Sequence, residues 1–167
     1  MKNILFIFIL SLSIAQVFSE YSYTGASQSA MVGTITANVS SDVGLFYNPA
    51  SLSGLESNTL IAGQTNIFNQ SHLPYKYIGL VYQAPIIGRI GISYQSFSTD
   101  YNGVELSSEN VFSISKGKYF QKDRNSSFSI GYRIKFLSWE QSASAGATGD
   151  GSDGFSAFDV STVGLDF

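Results

Sequence analysis

Between Ser127 and Leu137 the chain alternates residue by residue. Phe128, Ile130, Tyr132, Ile134 and Phe136 share one parity, and Ser127, Ser129, Gly131, Arg133 and Lys135 share the other. Side chains alternate faces along a strand, so this spacing predicts a strand with one hydrocarbon face and one small or cationic face. Arg89 to Phe97 repeats the pattern, with Ile90, Ile92 and Tyr94 opposite Arg89, Gly91, Ser93 and Gln95. In Asn110 to Lys118, Phe112 and Ile114 oppose Ser113, Ser115 and Gly117. Tyr75 to Gln83 is apolar at both parities, and Asn58 to Phe68 is weakly patterned. Phe155 to Phe167 begins with Phe158, Val160 and Thr162 on one face, after which the apolar parity moves to Val163, Leu165 and Phe167. A bulge near Ser161 would produce that switch.

The links between these segments carry a second pattern. Ala84–Gly88 and Gln121–Asn125 are short, Ser98–Glu109 and Glu140–Gly154 are long, and Asn69–Pro74 is intermediate. Short turns on one side and long loops on the other are the habit of outer-membrane barrels. The strands are long enough to cross a bilayer when tilted, which takes roughly nine to eleven residues. Aromatics gather near their ends (Phe68, Tyr75, Phe97, Tyr119, Phe120, Trp139 and Phe155), as an interfacial girdle would require. The expected fold is all-β: part of an antiparallel transmembrane β-barrel, with about six meander strands after residue 58.

Composition narrows the picture. Charged residues are 13% of the 167, about half the usual share of roughly 25%, while aromatics reach 14%. Mean hydropathy is +0.10, yet after the N-terminus no apolar run approaches the ~18 residues of a spanning helix. Net charge is −3, which disfavours a nucleic-acid partner, because that needs a basic face. There is no cysteine and one histidine, which excludes disulfides, thiolate metal sites and His-pair zinc sites.

Residues 1–19 have the form of a secretory signal peptide: Lys2, then an apolar stretch from Ile4 to Ile14, then Val17 and Ser19 at the −3 and −1 positions. A buried N-terminal helix is the alternative, but no amphipathic face is visible. Removing residues 1–19 takes away only Lys2 among the charges.

Residues 20–57 alternate poorly and are rich in small residues. Ser27 to Thr36 can form one or two helical turns with Ala30, Met31 and Ile35 on one face. Asp42 suits a turn, and Pro49 fixes φ and removes a donor. Such a segment is either a plug tucked into a barrel mouth or a linker into the first strand. Gly25, Ala30, Met31, Gly33, Ala37, Asp42, Tyr47, Asn48, Pro49, Ala50 and Leu52 form a spaced set. That set resembles the start of the PorV/PorQ family of outer-membrane barrels and, more distantly, the FadL fatty-acid channels. The chain departs from the family at Val32, Thr34 and Ser51, where members typically carry Gly, Ala and Gly. The resemblance implies a bacterial outer-membrane location and a role in type IX protein secretion or surface attachment. Its expected partners are the lipid bilayer and the secretion machinery or cargo proteins. It makes the motif Asn48, Pro49 and Ala50, with Gly25, Gly33 and Asp42, the candidate binding element, and implies a hatch-like role for the segment.

Signals for chemistry are few. Gly149 to Gly154 matches GxGxxG literally, but a strand rather than a helix follows it, so no nucleotide site is expected. Asp150 and Asp153 are an incomplete calcium set. His72 has Ser71 beside it but no third catalytic partner in view. Arg89, Arg133 and Lys135 fall on the small-residue face of their strands, where Asp159 can join them. These charges form either a lumen salt-bridge network or a filter for an anionic solute. Lys116 has the apolar parity and is expected near a strand end, snorkelling. No cofactor, metal or enzymatic activity is expected.

Three functions remain open at this point: a partner in protein export, a FadL-like channel for a hydrophobic small molecule, and a soluble secreted β-sandwich binding module. Bacterial single-chain barrels have at least eight strands in even number, so six suggest the N-terminal part of a longer barrel. Residues 25–52 would then lie against the concave face of an open sheet. A closed eight-stranded barrel would need two more strands from Tyr21–Leu55. The signal peptide is the directly testable part: N-terminal sequencing of exported protein should find cleavage after Ser19, or failing that after Ala15. An intact Met1 in the exported form would overturn it.

Overall fold

The computed structural model describes residues 43–144 and 152–167, together with Gly25 and Ala30. Within them lie six strands in one antiparallel sheet: β1 (Thr59–Asn66), β2 (Pro74–Ala84), β3 (Gly88–Tyr101), β4 (Val104–Asp123), β5 (Ser126–Gln141) and β6 (Phe158–Asp166). Their order in the sheet is their order in the sequence, so the fold is an all-β meander of the expected six strands. Residues 43–55 do not supply further strands. They form α1 (Gly44–Tyr47) and a 3-10 segment (Pro49–Gly54) that pack on one face of the sheet. The expected signal peptide at 1–19, Gly33, Asp42 and Asp150 lie outside the described residues, as does most of the expected helix at Ser27–Thr36.

The register sorts the side chains onto an open face and a covered face. Two apolar rows cross all six strands on the open face. One is Ala62, Ile78, Tyr94, Phe112, Phe136 and Val163; the next is Leu60, Leu80, Ile92, Ile114, Ile134 and Leu165. Ile78, Leu80, Ile92, Phe112, Ile114 and Phe136 are all exposed. On the same face, the row adjoining the first is Gln64, Lys76, Ser96, Asn110, Ser138 and Ser161, polar at every strand. The open face therefore has a sharp apolar–polar boundary. In β5 the apolar run from Phe128 to Phe136 covers eight rises, roughly 27 Å at ~3.4 Å each.

Several expectations change. Ser98–Glu109 is not a long loop. β3 continues to Tyr101 and β4 starts at Val104, joined by Asn102 (φ 51) and Gly103 (φ 78). Positive φ at both positions is the type I′ turn that Asn-Gly favours, because its twist matches the flanking strands. The polar residues of this arm gave it the composition of a loop, whereas the pairing of Asp100 with Glu105 and Tyr101 with Val104 makes it a hairpin. Nor is there a bulge at Ser161: β5 and β6 pair without a register shift from Arg133–Asp166 to Gln141–Phe158. Phe158 and Val160 instead lie on the covered face, where Phe158 meets Trp139 edge-on at 5.1 Å. The apolar parity switches because the covered face itself becomes aromatic there. Tyr75, Phe97 and Trp139 share a rung of that face, so they are not an open-face belt. Lys116 sits well inside the 20-residue β4, not near its end.

Candidate functional site

Four glycines on the covered face make room for the N-terminal segment. Gly79 and Gly91 leave space for the Leu45 side chain, which is fully buried. Gly117 and Gly131 are direct partners across β4 and β5. A Cβ at Gly117 would lie 2.6 Å from the Pro49 carbonyl oxygen and 2.9 Å from the Ser53 nitrogen. One at Gly131 would lie 2.7 Å from the Ala50 Cα. Backbone here approaches backbone, and no side chain can give way. Ser93, Ser113 and Ser115 continue the trough as buried small residues, and the Ser93 and Ser113 hydroxyls meet at 2.6 Å.

The motif residues shape the segment to fit this trough. Asn48 closes α1 by donating its backbone N–H to the Gly44 carbonyl at 2.9 Å. Its Oδ1 accepts from the Ala50 N–H at 3.0 Å, and its carbonyl accepts from the Ser51 hydroxyl at 2.7 Å. Pro49 occupies the first 3-10 position, where its missing N–H costs nothing. Leu45, Phe46, Leu52 and Leu55 then close over Val81, with Tyr47, Ile61 and Tyr77 at the margin. Burying each such side chain contributes about 1.5–3 kcal/mol. The part of the spaced set within the described residues, Tyr47, Asn48, Pro49, Ala50 and Leu52, is therefore a docking element in this structure. Gly25 has φ 101, a left-handed conformation that suits glycine.

The four candidate charges divide. Arg133 and Lys135 converge on Asp166, at 3.6 and 3.0 Å. Arg133 is 5% exposed and also donates to the Phe46 carbonyl at 2.9 Å, at the end of the segment's helix. Its charge is thus balanced by a carboxylate and used to hold the segment down. Asp159 does not join them. The register pairs it with Glu140, on the parity of Phe136, and gives its expected place to Asp166. An assumed bulge had put Asp159 on the wrong face. Arg89 stands apart, with a 3.5 Å contact to the Ser57 carbonyl.

Other candidates lack a site around them. Neither Ser71 nor His72 makes a side-chain hydrogen bond among the described residues, and both are exposed. No group of three His, Cys, Asp or Glu able to hold a metal occurs among the described residues, Asp153 included. Sequence reasoning missed Asp166 and the glycine seat. Glycine at the polar parity of successive strands was the available signal.

No protein-family model, curated protein or solved structure matches this chain. The geometry itself defines the class: a six-stranded antiparallel meander, apolar on its open face and covered on the other by the chain's own N-terminal segment.

The seat is testable by cross-linking. Ser53 Oγ and Ser129 Oγ are 2.9 Å apart, and the chain has no cysteine. Ser53→Cys with Ser129→Cys should oxidise to a disulfide in high yield. Adding Gly131→Val should suppress it, because overpacking backbone against backbone costs about 1–3 kcal/mol or more. Mass measurement without reductant checks this, and unchanged yield with Gly131→Val would refute the seat.

Proposed function

We propose that this chain is an outer-membrane β-barrel protein that acts, without catalysing a reaction, as a partner in type IX protein secretion or surface attachment. The observation that carries the membrane part is the open face. Two apolar rows cross six strands, no second sheet packs on them among the described residues, and a wholly polar rung bounds them. A soluble sandwich would bury such a face against another sheet. In lipid it needs no cover. The tie to protein export rests on the PorV/PorQ resemblance at Gly25–Leu52. It is supported by the β3–β4 arm, whose end exposes Tyr101, Val104 and Leu106. Apolar residues on a projecting hairpin suit a protein partner.

A FadL-like channel for a hydrophobic small molecule is the second reading. The covered face favours it at one end, where Tyr75, Phe97, Leu137, Trp139, Phe158 and Val160 gather around Glu109 beyond the docked segment.

Two measurements test these readings. Ile114→Arg should cost roughly 2–4 kcal/mol in refolding into vesicles, because it places a charge in an apolar row. Ser96→Arg, on the polar rung, should cost clearly less, and equal losses would reject the lipid-facing assignment. In cells, Tyr101→Ser with Leu106→Ser should impair capture or export of cargo while the protein still fractionates with the outer membrane. Normal export combined with loss of uptake of a hydrophobic solute would shift the function to the channel.

A further inference from the structure

β3 stops before β4 does. Its last pairing at this end is Ile90 with Lys116, after which β4 runs on to Asp123 paired with β5. The overhang and the β2–β3 turn enclose a cleft of ≈ 490 Å³. Arg89, Lys116 and Lys118 all line it, and no carboxylate does. None of the three has an ion-pair partner among the described residues. Lys118 lies 5.1 Å from the centre of the Phe120 ring. The turn above adds Ile86 and Ile87, which are 95% and 53% exposed. Lys116 and Lys118, two residues apart on the open face, repel each other, and an anion in the cleft would relieve that repulsion; Arg89 lines the cleft from the covered-face side, where it meets the Ser57 carbonyl.

We infer that this cleft binds the phosphate of an anionic phospholipid. The choice of a lipid over a free anion follows from the surroundings. Lys116 and Lys118 stand on the open face, beside Tyr132 and Ile130 on the next strand. Ile86 and Ile87 project next to them. A headgroup can neutralise the cations while its acyl chains cover the apolar residues on either side, which a soluble phosphate cannot do. The inference rests on the membrane reading above and adds a specific lipid contact at the short-turn end of the sheet.

The test is native mass spectrometry of the full-length protein in neutral detergent, titrated with short-chain phosphatidylglycerol, phosphatidylcholine or inorganic phosphate. Phosphatidylglycerol should bind with a clear preference that weakens at high salt. Lys116→Gln and Lys118→Gln together should weaken it more than tenfold, and Lys118→Gln alone about fivefold. Lys122→Gln at the end of β4 with Arg124→Gln in the turn that follows should leave the preference intact. Equal binding of phosphatidylcholine, equal binding by the Lys116→Gln, Lys118→Gln double variant, or phosphate binding as tightly as the lipid would overturn the inference. Insertion of the wild-type protein into phosphatidylcholine vesicles is measured in parallel. Failure to insert refutes the membrane reading itself, whereas insertion without a phosphatidylglycerol preference refutes the lipid site alone.

Discussion

Pro49 and Ala50 reach the sheet only because Gly117 and Gly131, paired across β4 and β5, present no side chain there. Most of the covered face is organised around that close approach. It fixes the height of the 3-10 segment above the sheet. That in turn lets Leu45 and Leu52 fill the space left at Gly79 and Gly91 and brings Ser53 within 2.9 Å of Ser129. It also carries the Phe46 carbonyl to Arg133, so a buried guanidinium gains an acceptor in addition to Asp166. A side chain at either glycine would lift the segment and expose that charge's partners together.

The two faces obey opposite rules. The covered face is built of small residues where the segment lies, and of aromatics beyond it, with Trp139 held by both Phe158 and a 2.9 Å hydrogen bond to the Ser107 hydroxyl. The open face is built of large apolar residues that touch one another across strands, such as Phe112 with Phe136 and Phe120 stacked on Phe128 at 5.1 Å. In water this would be an extensive exposed hydrocarbon surface. A hydrocarbon solvent removes that penalty, which is why the face and the proposed membrane setting belong together. The polar rung marks one end, where such a solvent would give way to water or headgroups, and Lys116 and Lys118 lie within the run that continues to Phe120 and Phe128.

Strand identity was legible in the sequence because side-chain parity is a local property of an extended chain. Phe128 to Phe136 in β5, Ile90 to Tyr94 in β3, and Phe112 with Ile114 in β4 declare their exposed side without reference to any neighbour. The meander was legible too, since short links force antiparallel neighbours. What depended on partners was not. The polar arm at 98–107 could be told from a loop only by its pairing, although Asn102-Gly103 marked its turn. Asp159 and Asp166 could be assigned to faces only by the register of β6 on β5. The spaced motif Asn48-Pro49-Ala50 was visible as a pattern, but its role as a docking element came from four glycines on four different strands. Those glycines are far apart in sequence, and only the folded register brings them under one segment.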